Sequence, residues 1–303
     1  MDFQKPLLIV IAGPTASGKT DLAIELALIF HTVIISADSR QFYKEIPIGS
    51  AAPNKNQLAK VEHYFVGNRS IHHPYNVSEY ENEAISLLDN LFALHSVVIM
   101  AGGSGLYIDA VCYGLDVLPD PDPLLRHQLQ VLYREQGIEA LRTQLRLLDA
   151  EFYRQVDLKN PVRLMRAIEV CLLSGKSYSS LRTGQSKLRN FQTLKLALDV
   201  PKPLLIERIN RRVDEMIQMG LIEEAKLLLP YKNLPPLRTV GFKEMFAYFE
   251  GQYTLEQAIE KIKINTRKFA KRQITWFKKD PLYHWVSPND IQQINRLIRN
   301  EIQ

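Results

Sequence analysis

The hydrophobic pattern of the chain changes period several times, and each change predicts an element. Leu7-Leu8-Ile9-Val10-Ile11 is apolar without alternation, the signature of a strand buried on both faces. Residues 32–36 and 96–100 repeat that pattern, and residues 21–30 read as a strongly apolar helix. Strands alternating with helices predict a parallel sheet covered on both faces, with ligands bound beyond the C-terminal strand ends. Pro119, Pro121 and Pro123, three prolines in five residues, mark a boundary. Residues 124–188 are then helical in pattern and rich in arginine, and 191–200 read as a strand returning to the sheet. A helix is expected over 204–229 and a loop over 230–236. Helices resume near Phe242 and continue to Lys279, with a break near Gly251. Residues 13–20, between the first strand and the first helix, read G-x-x-x-x-G-K-T, so the expected fold class is α/β: a P-loop NTPase-like parallel sheet core with helices on both faces and a helical insertion domain. The first part of the core spans 1–118, the insertion 119–190, and the completion of the core, with basic C-terminal helices, 191–303.

Composition narrows the class. The chain has 303 residues, 46% hydrophobic and 23% charged, ordinary usage for a globular protein with a sizeable core. Its two cysteines, Cys112 and Cys171, belong to no C-x-x-C pair, which excludes a zinc ribbon; two buried thiols in a reducing compartment are expected. The six-residue apolar stretch 7–12 runs into a glycine-rich turn and reads as a strand, not a signal peptide. No run of about 18 apolar residues exists, so a cytoplasmic protein without membrane contact is expected, and a monomer. Net charge is +5, yet residues 261–279 hold eight basic residues and no acidic one. Such local basicity suits a surface facing a polyanion, the bland alternative being a solvated helix face.

The strongest motif is Gly13-Pro14-Thr15-Ala16-Ser17-Gly18-Lys19-Thr20, a G-x-x-x-x-G-K-T phosphate loop placed after a strand and before a helix. Its backbone amides and the helix N-terminus suit phosphate oxygens, Lys19 can reach a terminal phosphate, and Thr20 can hold Mg²⁺. The motif speaks for polyphosphate, not for nucleotide hydrolysis. A switch ATPase carries an acidic metal residue at another strand end, whereas the strand ending at Met100 runs into Ala101-Gly102-Gly103-Ser104-Gly105. There the glycines permit close approach of a ligand, or simply a tight turn, and Ser104 offers a hydroxyl. Asp38, after the second strand, is a candidate general base, Mg²⁺ ligand or helix cap.

These blocks resemble the tRNA dimethylallyltransferase (tRNA isopentenyltransferase) family. The resemblance rests on the phosphate loop and on Ser36-Ala37-Asp38-Ser39-Arg40-Gln41-Phe42-Tyr43, Ile48-Gly49-Ser50-Ala51-Ala52-Pro53 and Ala101-Gly102-Gly103-Ser104-Gly105-Leu106-Tyr107. It continues in Asn160-Pro161-Val162-Arg163-Leu164-Met165-Arg166-Ala167-Ile168-Glu169-Val170, Thr239-Val240-Gly241-Phe242-Lys243-Glu244 and Thr266-Arg267-Lys268-Phe269-Ala270-Lys271-Arg272-Gln273-Ile274-Thr275-Trp276-Phe277. The blocks follow the family's order across almost the whole chain. The chain departs from the pattern at Ala52, where lysine is usual, and at Ser104, where threonine is usual.

The resemblance implies transfer of a dimethylallyl group from dimethylallyl diphosphate to N6 of the adenine beside the tRNA anticodon, at position 37, releasing diphosphate. It implies that residues 13–20 and Arg212 bind diphosphate with Mg²⁺ on Thr20, and that Asp38, Ser104 and Arg208 are catalytic. Asp38, Ser39, Arg40, Gln41 and Ser104 would hold the target base. Arg126, Val162, Arg163, Leu164, Met165 and Arg166 would grip the anticodon stem-loop, Arg163 and Arg166 sharing a helix face. At about 100° per residue Lys261, Lys268, Arg272 and Lys279 fall within about 40° of one another, beside a stripe of Ile262, Phe269 and Trp276. That predicts a helix packed on one side and presenting cations to phosphates, Lys268 and Arg272 foremost, on the other. The competing readings are an adenylate isopentenyltransferase, a P-loop small-metabolite kinase and a nucleic-acid-dependent switch ATPase. The first two have no need of the basic helix, and the third needs the missing acid after Met100.

Overall fold

The computed structural model describes residues 5–73 and 75–302. They divide into two compact units, one of Met1–Cys112 with Leu188–Gln303 and one of Tyr113–Lys187. In chain order the first unit begins β1 (Leu7–Ala12), α1 (Lys19–Ile29), β2 (Ile34–Ser36), α2 (Lys55–Leu58), β3 (His63–Tyr64), α3 (Val77–Phe92), β4 (Val97–Gly102) and α4 (Gly105–Tyr113). The second unit holds α5 (Pro123–Leu148), α6 (Ala150–Gln155), α7 (Pro161–Ser174) and α8 (Tyr178–Leu181). The chain then returns with β5 (Gln192–Leu198), α9 (Lys202–Gln218), α10 (Leu221–Leu228), α11 (Phe242–Phe249), α12 (Leu255–Phe277), β6 (Tyr283–Val286) and α13 (Ile291–Ile302).

The six strands form one sheet in the order β3-β2-β4-β1-β5-β6, every pair parallel. β1 is central, running in register from Leu7↔Val97 to Ala12↔Gly102 on one side and from Leu7↔Gln192 to Ala12↔Ala197 on the other. Leu7, Ile9 and Ile11 pack against Leu22 and Leu26 of α1 and Ile294 and Ile298 of α13. Leu8 and Val10 point to the opposite face and are equally buried, which is why the strand reads as apolar without alternation. On that other face the Tyr80 hydroxyl of α3 donates to the Ser36 carbonyl at 3.0 Å. The strand order sets β2, β4 and β1 side by side, so the loops leaving their C-terminal ends are neighbours.

The helix expected over 204–229 is two helices, because Gly220 adopts φ +102° and ends the first. The loop expected over 230–236 contains two short 3₁₀ turns. The helical unit begins a few residues before the prolines, and its ends meet where the Lys187 amide donates to the Tyr113 carbonyl at 2.7 Å. Its own core gathers Leu129, Leu141, Leu145, Phe152, Leu164, Ala167 and Ile168. Both cysteines are buried thiols, and among the described residues no helix is long and apolar enough to cross a membrane.

Candidate active site

The phosphate loop leaves β1 at Gly13 and enters α1 at Lys19. The Pro14 carbonyl accepts hydrogen bonds from the Ser17 amide at 3.3 Å and from Lys19 Nζ at 2.7 Å, so the lysine folds back on its own loop. Ala16 is held at φ +64°, a left-handed conformation that costs a non-glycine residue about 1 kcal/mol or more. Burial lowers the Lys19 pKa to about 7; the nearby Arg212 guanidinium adds to the depression and the Asp38 carboxylate partly offsets it. Arg212, on α9, donates to Thr15 Oγ1 at 3.3 Å, and burial pulls its own pKa down as well. Two depressed cations beside a loop of amides make a receptor for an anion, since each regains its proton affinity when negative charge arrives.

Asp38 follows β2. Its Oδ1 accepts the Arg40 amide at 3.0 Å, closing a tight turn; no helix begins there, so the helix-cap alternative falls away. Oδ2 makes no hydrogen bond to another described residue. The Ser104 amide donates to the Ala37 carbonyl at 3.2 Å, and Ser104 Oγ accepts the Ser39 amide at 3.0 Å. Ser104 thus fixes the Asp38 turn from the neighbouring strand end. Gln41 is a tie: its side chain accepts from Ser36 Oγ at 2.9 Å and donates to the Ala51 carbonyl at 3.2 Å. Glu224 of α10 anchors the same loop, accepting the Ile48 and Gly49 amides at 2.9 and 2.7 Å.

The glycines after β4 have a different cause from a bound ligand. A Cβ on Gly103 would stand 2.2 Å from Gln273 Nε2, and one on Gly105 would stand 2.2 Å from the Trp276 ring. The space is filled by α12, whose Trp276 also donates from Nε1 to Asp109 Oδ2 at 2.9 Å. A cavity of about 480 Å³ lies against the loop at Ala16–Ser17–Gly18, lined on its far side by Arg208, Arg211, Arg212 and Glu215. Arg208 and Arg212 thus face the loop across this cavity, which Asp21 and Glu25 of α1 also line.

Among the described residues no three His, Cys, Asp or Glu side chains cluster as a metal cage. The donor set instead suits Mg²⁺, which prefers one or two protein oxygens completed by phosphate and water. The Thr20 hydroxyl bonds no other described residue, and Ser17 Oγ is buried without a partner.

Residues 41–280 match the protein family described as IPP transferase. The chain is 50% identical over 286 residues to tRNA dimethylallyltransferase 2 of Azobacteroides pseudotrichonymphae, covering 94% of this chain and 93% of that protein. The solved tRNA isopentenylpyrophosphate transferase of Bacillus halodurans superposes with a TM-score of 0.70 at 30% identity, over 98% of this chain and 95% of that one. A solved eukaryotic dimethylallyltransferase acting on tRNA superposes with a TM-score of 0.76 at 25% identity, over 98% of this chain and 77% of its own. The chain belongs to the IPP transferase family. The motif resemblance and the fold class read from the sequence both hold.

Within this family frame the remaining candidates separate. In the helical unit, Glu169 is wholly buried and accepts from Arg126 Nε at 2.8 Å, Arg126 Nη2 at 3.2 Å, Arg166 Nη1 at 2.7 Å and the Asp122 amide at 3.0 Å. Arg166 also donates to the Pro119 carbonyl at 2.8 Å. The expected pairing of Arg163 with Arg166 on one open face is therefore corrected: Arg166 turns toward the buried acid, and Arg163 is exposed. Leu164 is corrected too, since its side chain is packed into the core of the unit and offers nothing to RNA. Val162 is 68% exposed beside Arg163, and Met165 packs against the core edge.

On α12 the inward positions are Ala258, Ile262, Ala270, Gln273 and Phe277. Phe269, expected in the packed stripe, is 40% exposed and lies under the Arg272 guanidinium at 5.6 Å. Lys279 lies beyond the helix end, Lys261 stacks on Tyr253, and Lys263 and Arg267 pair with Asp214 and Glu260. Lys268, Lys271 and Arg272 are exposed and make no ion pair among the described residues. Sequence reasoning missed Gln273, Glu169, Glu224 and Arg211. A lone amide at inward helical spacing was a usable signal for the first.

Proposed function

We propose that the protein transfers the dimethylallyl group of dimethylallyl diphosphate to N6 of the adenine at position 37 of tRNA, releasing diphosphate. The observation that carries this reading is the order of three adjacent strand ends: a carboxylate after β2, a hydroxyl after β4 and a phosphate loop with two depressed cations after β1. An acceptor for a proton and a receptor for an anionic leaving group thus follow neighbouring strands, with no acid after β4 of the kind that nucleotide hydrolysis uses.

In the reaction the bond from the allylic carbon to the diphosphate oxygen breaks as the N6–carbon bond forms. The N6 proton passes to Asp38, whose Oδ2 is open while Oδ1 keeps the turn in place. Charge developing on the leaving group is met by the loop amides, Lys19 and Arg212, with Arg208 at the cavity wall. Thr20 would hold Mg²⁺, which would supply further neutralisation of that group. The adenine leaves the anticodon-loop stack, which is cheap for an unpaired base, and lies near Asp38, Ser39 and Arg40. Arg163 and Val162 meet the stem-loop, and Lys268, Lys271 and Arg272 meet phosphates. The protein works as a monomer in the cytoplasm and does not use ATP.

Incubation with labelled dimethylallyl diphosphate and, in separate reactions, tRNA, AMP or ATP tests the reading. Label on tRNA at the adenine beside the anticodon is expected. Label on the free nucleotide would make it an adenylate isopentenyltransferase, and tRNA-stimulated ATP turnover would revive the switch ATPase.

A further inference from the structure

Gln273 sits on the inward side of α12 and is 6% exposed, polar among Ala258, Ile262, Ala270 and Phe277. Its Oε1 accepts the Thr15 amide of the phosphate loop at 2.8 Å. Its Nε2 donates to the Gly103 carbonyl in the turn after β4 at 2.9 Å. One planar amide thus joins the loops leaving two adjacent strands, and its length fixes their spacing. The fit is close on both sides, because any side chain at Gly103 would meet Nε2. One helical turn later Trp276 covers Gly105 and bonds Asp109, so the Ser104 turn is pinned on both flanks by α12. Ser104 in turn holds the Ser39 amide. A continuous chain of bonds therefore runs from the phosphate loop through Gln273 to the turn that bears Asp38.

We propose that Gln273 is a positioning residue that sets the distance between the diphosphate cradle and the Asp38–Ser104 side of the site. It also commits the Thr15 amide, so an anion is met by the loop amides after Thr15. The role in transfer rests on the function proposed above, whereas the effect on anion binding does not.

Gln273→Met keeps the length of the side chain and removes both hydrogen bonds. The loss of two buried hydrogen bonds predicts a roughly tenfold or greater rise in KM for dimethylallyl diphosphate and a parallel rise in the calorimetric Kd of pyrophosphate. KM for tRNA stays within about twofold, and amide exchange across residues 13–20 quickens. A role in folding alone would lower the active fraction with both KM values unchanged. Gly103→Ala drives Nε2 off its carbonyl from the other side and should reproduce the pattern, which keeps the test alive if Gln273→Met does not fold. Unchanged pyrophosphate Kd and unchanged KM in the folded variants overturn the proposal. A wild-type chain that binds pyrophosphate but modifies no tRNA sinks the transfer reading alone, and the pyrophosphate titrations still decide Gln273.

Discussion

Diphosphate binding should draw a proton out of solution, and Lys19 should be where it goes. In the unliganded protein burial holds its amine at about 7, against an ordinary 10.5. At pH 8 about nine molecules in ten then carry it neutral. A bound diphosphate with roughly three negative charges raises it well above 8, so close to one proton is taken up per ligand. Calorimetric titration with pyrophosphate in two buffers of different ionisation enthalpy reads this number directly. Uptake of about 0.9 proton is expected at pH 8, falling toward zero near pH 5.5, and none at pH 8 in Lys19→Met. Affinity accordingly weakens as pH rises above 7, by up to about tenfold per unit. Stability moves the other way. The folded value lies below the unfolded one, so between about 7 and 10.5 the unfolded chain binds more protons, and the unliganded protein gains stability as pH rises through that window. At about 1.4 kcal/mol per unit over roughly 3.5 units, the charged lysine costs the fold at most about 5 kcal/mol. Lys19→Met should therefore raise the melting temperature at neutral pH while removing tight diphosphate binding. Heats independent of buffer at pH 8 in the wild type, or a destabilised Lys19→Met, would refute this account.

Asp38→Ala should slow single-turnover transfer about 10²- to 10⁴-fold with tRNA affinity within a few-fold, and near wild-type rates would remove its role as base. Arg163→Ala should weaken tRNA binding without changing the melting temperature. Arg166→Ala should instead destabilise the protein by about 1–3 kcal/mol in denaturant titrations, because wholly buried Glu169 loses a charged donor. Neutralising Lys268 and Arg272 together should lower the log–log salt slope of tRNA binding by about 0.7–0.9 for each phosphate that is no longer neutralised, as read by filter binding at three salt concentrations.

The central strands were legible because a strand covered on both faces has no polar position to hide its boundaries. β3 and β6 were not, being a two-residue and a four-residue edge strand with too little pattern to read. The phosphate loop was legible from spacing alone, and Asp38 and Ser104 from their places just after strands. The charged networks were opaque for a physical reason. Sequence counts each arginine as an available cation, whereas Arg126 and Arg166 are committed to one acid that lies 43 positions beyond the first of them. Gln273 meets its partners across 258 and 170 positions, and a glutamine on a helix ordinarily faces water. The Gly102-Gly103-Ser104-Gly105 run left a close ligand and a tight turn both open in the sequence, whereas Gly103 and Gly105 make room for α12 and Gly102 for the Ala37 backbone.

The bond from Lys187 to the Tyr113 carbonyl closes the neck of the helical unit, so the polypeptide enters and leaves that unit at one point. No strand of the sheet has to be rethreaded if everything between those two residues is exchanged, and shortening the excursion lowers the entropy of loop closure. The architecture is thus that of a socket and a cassette. The sheet is continuous without it, and the excursion can lengthen, shrink or change in sequence while leaving the register of β1 and β5 untouched.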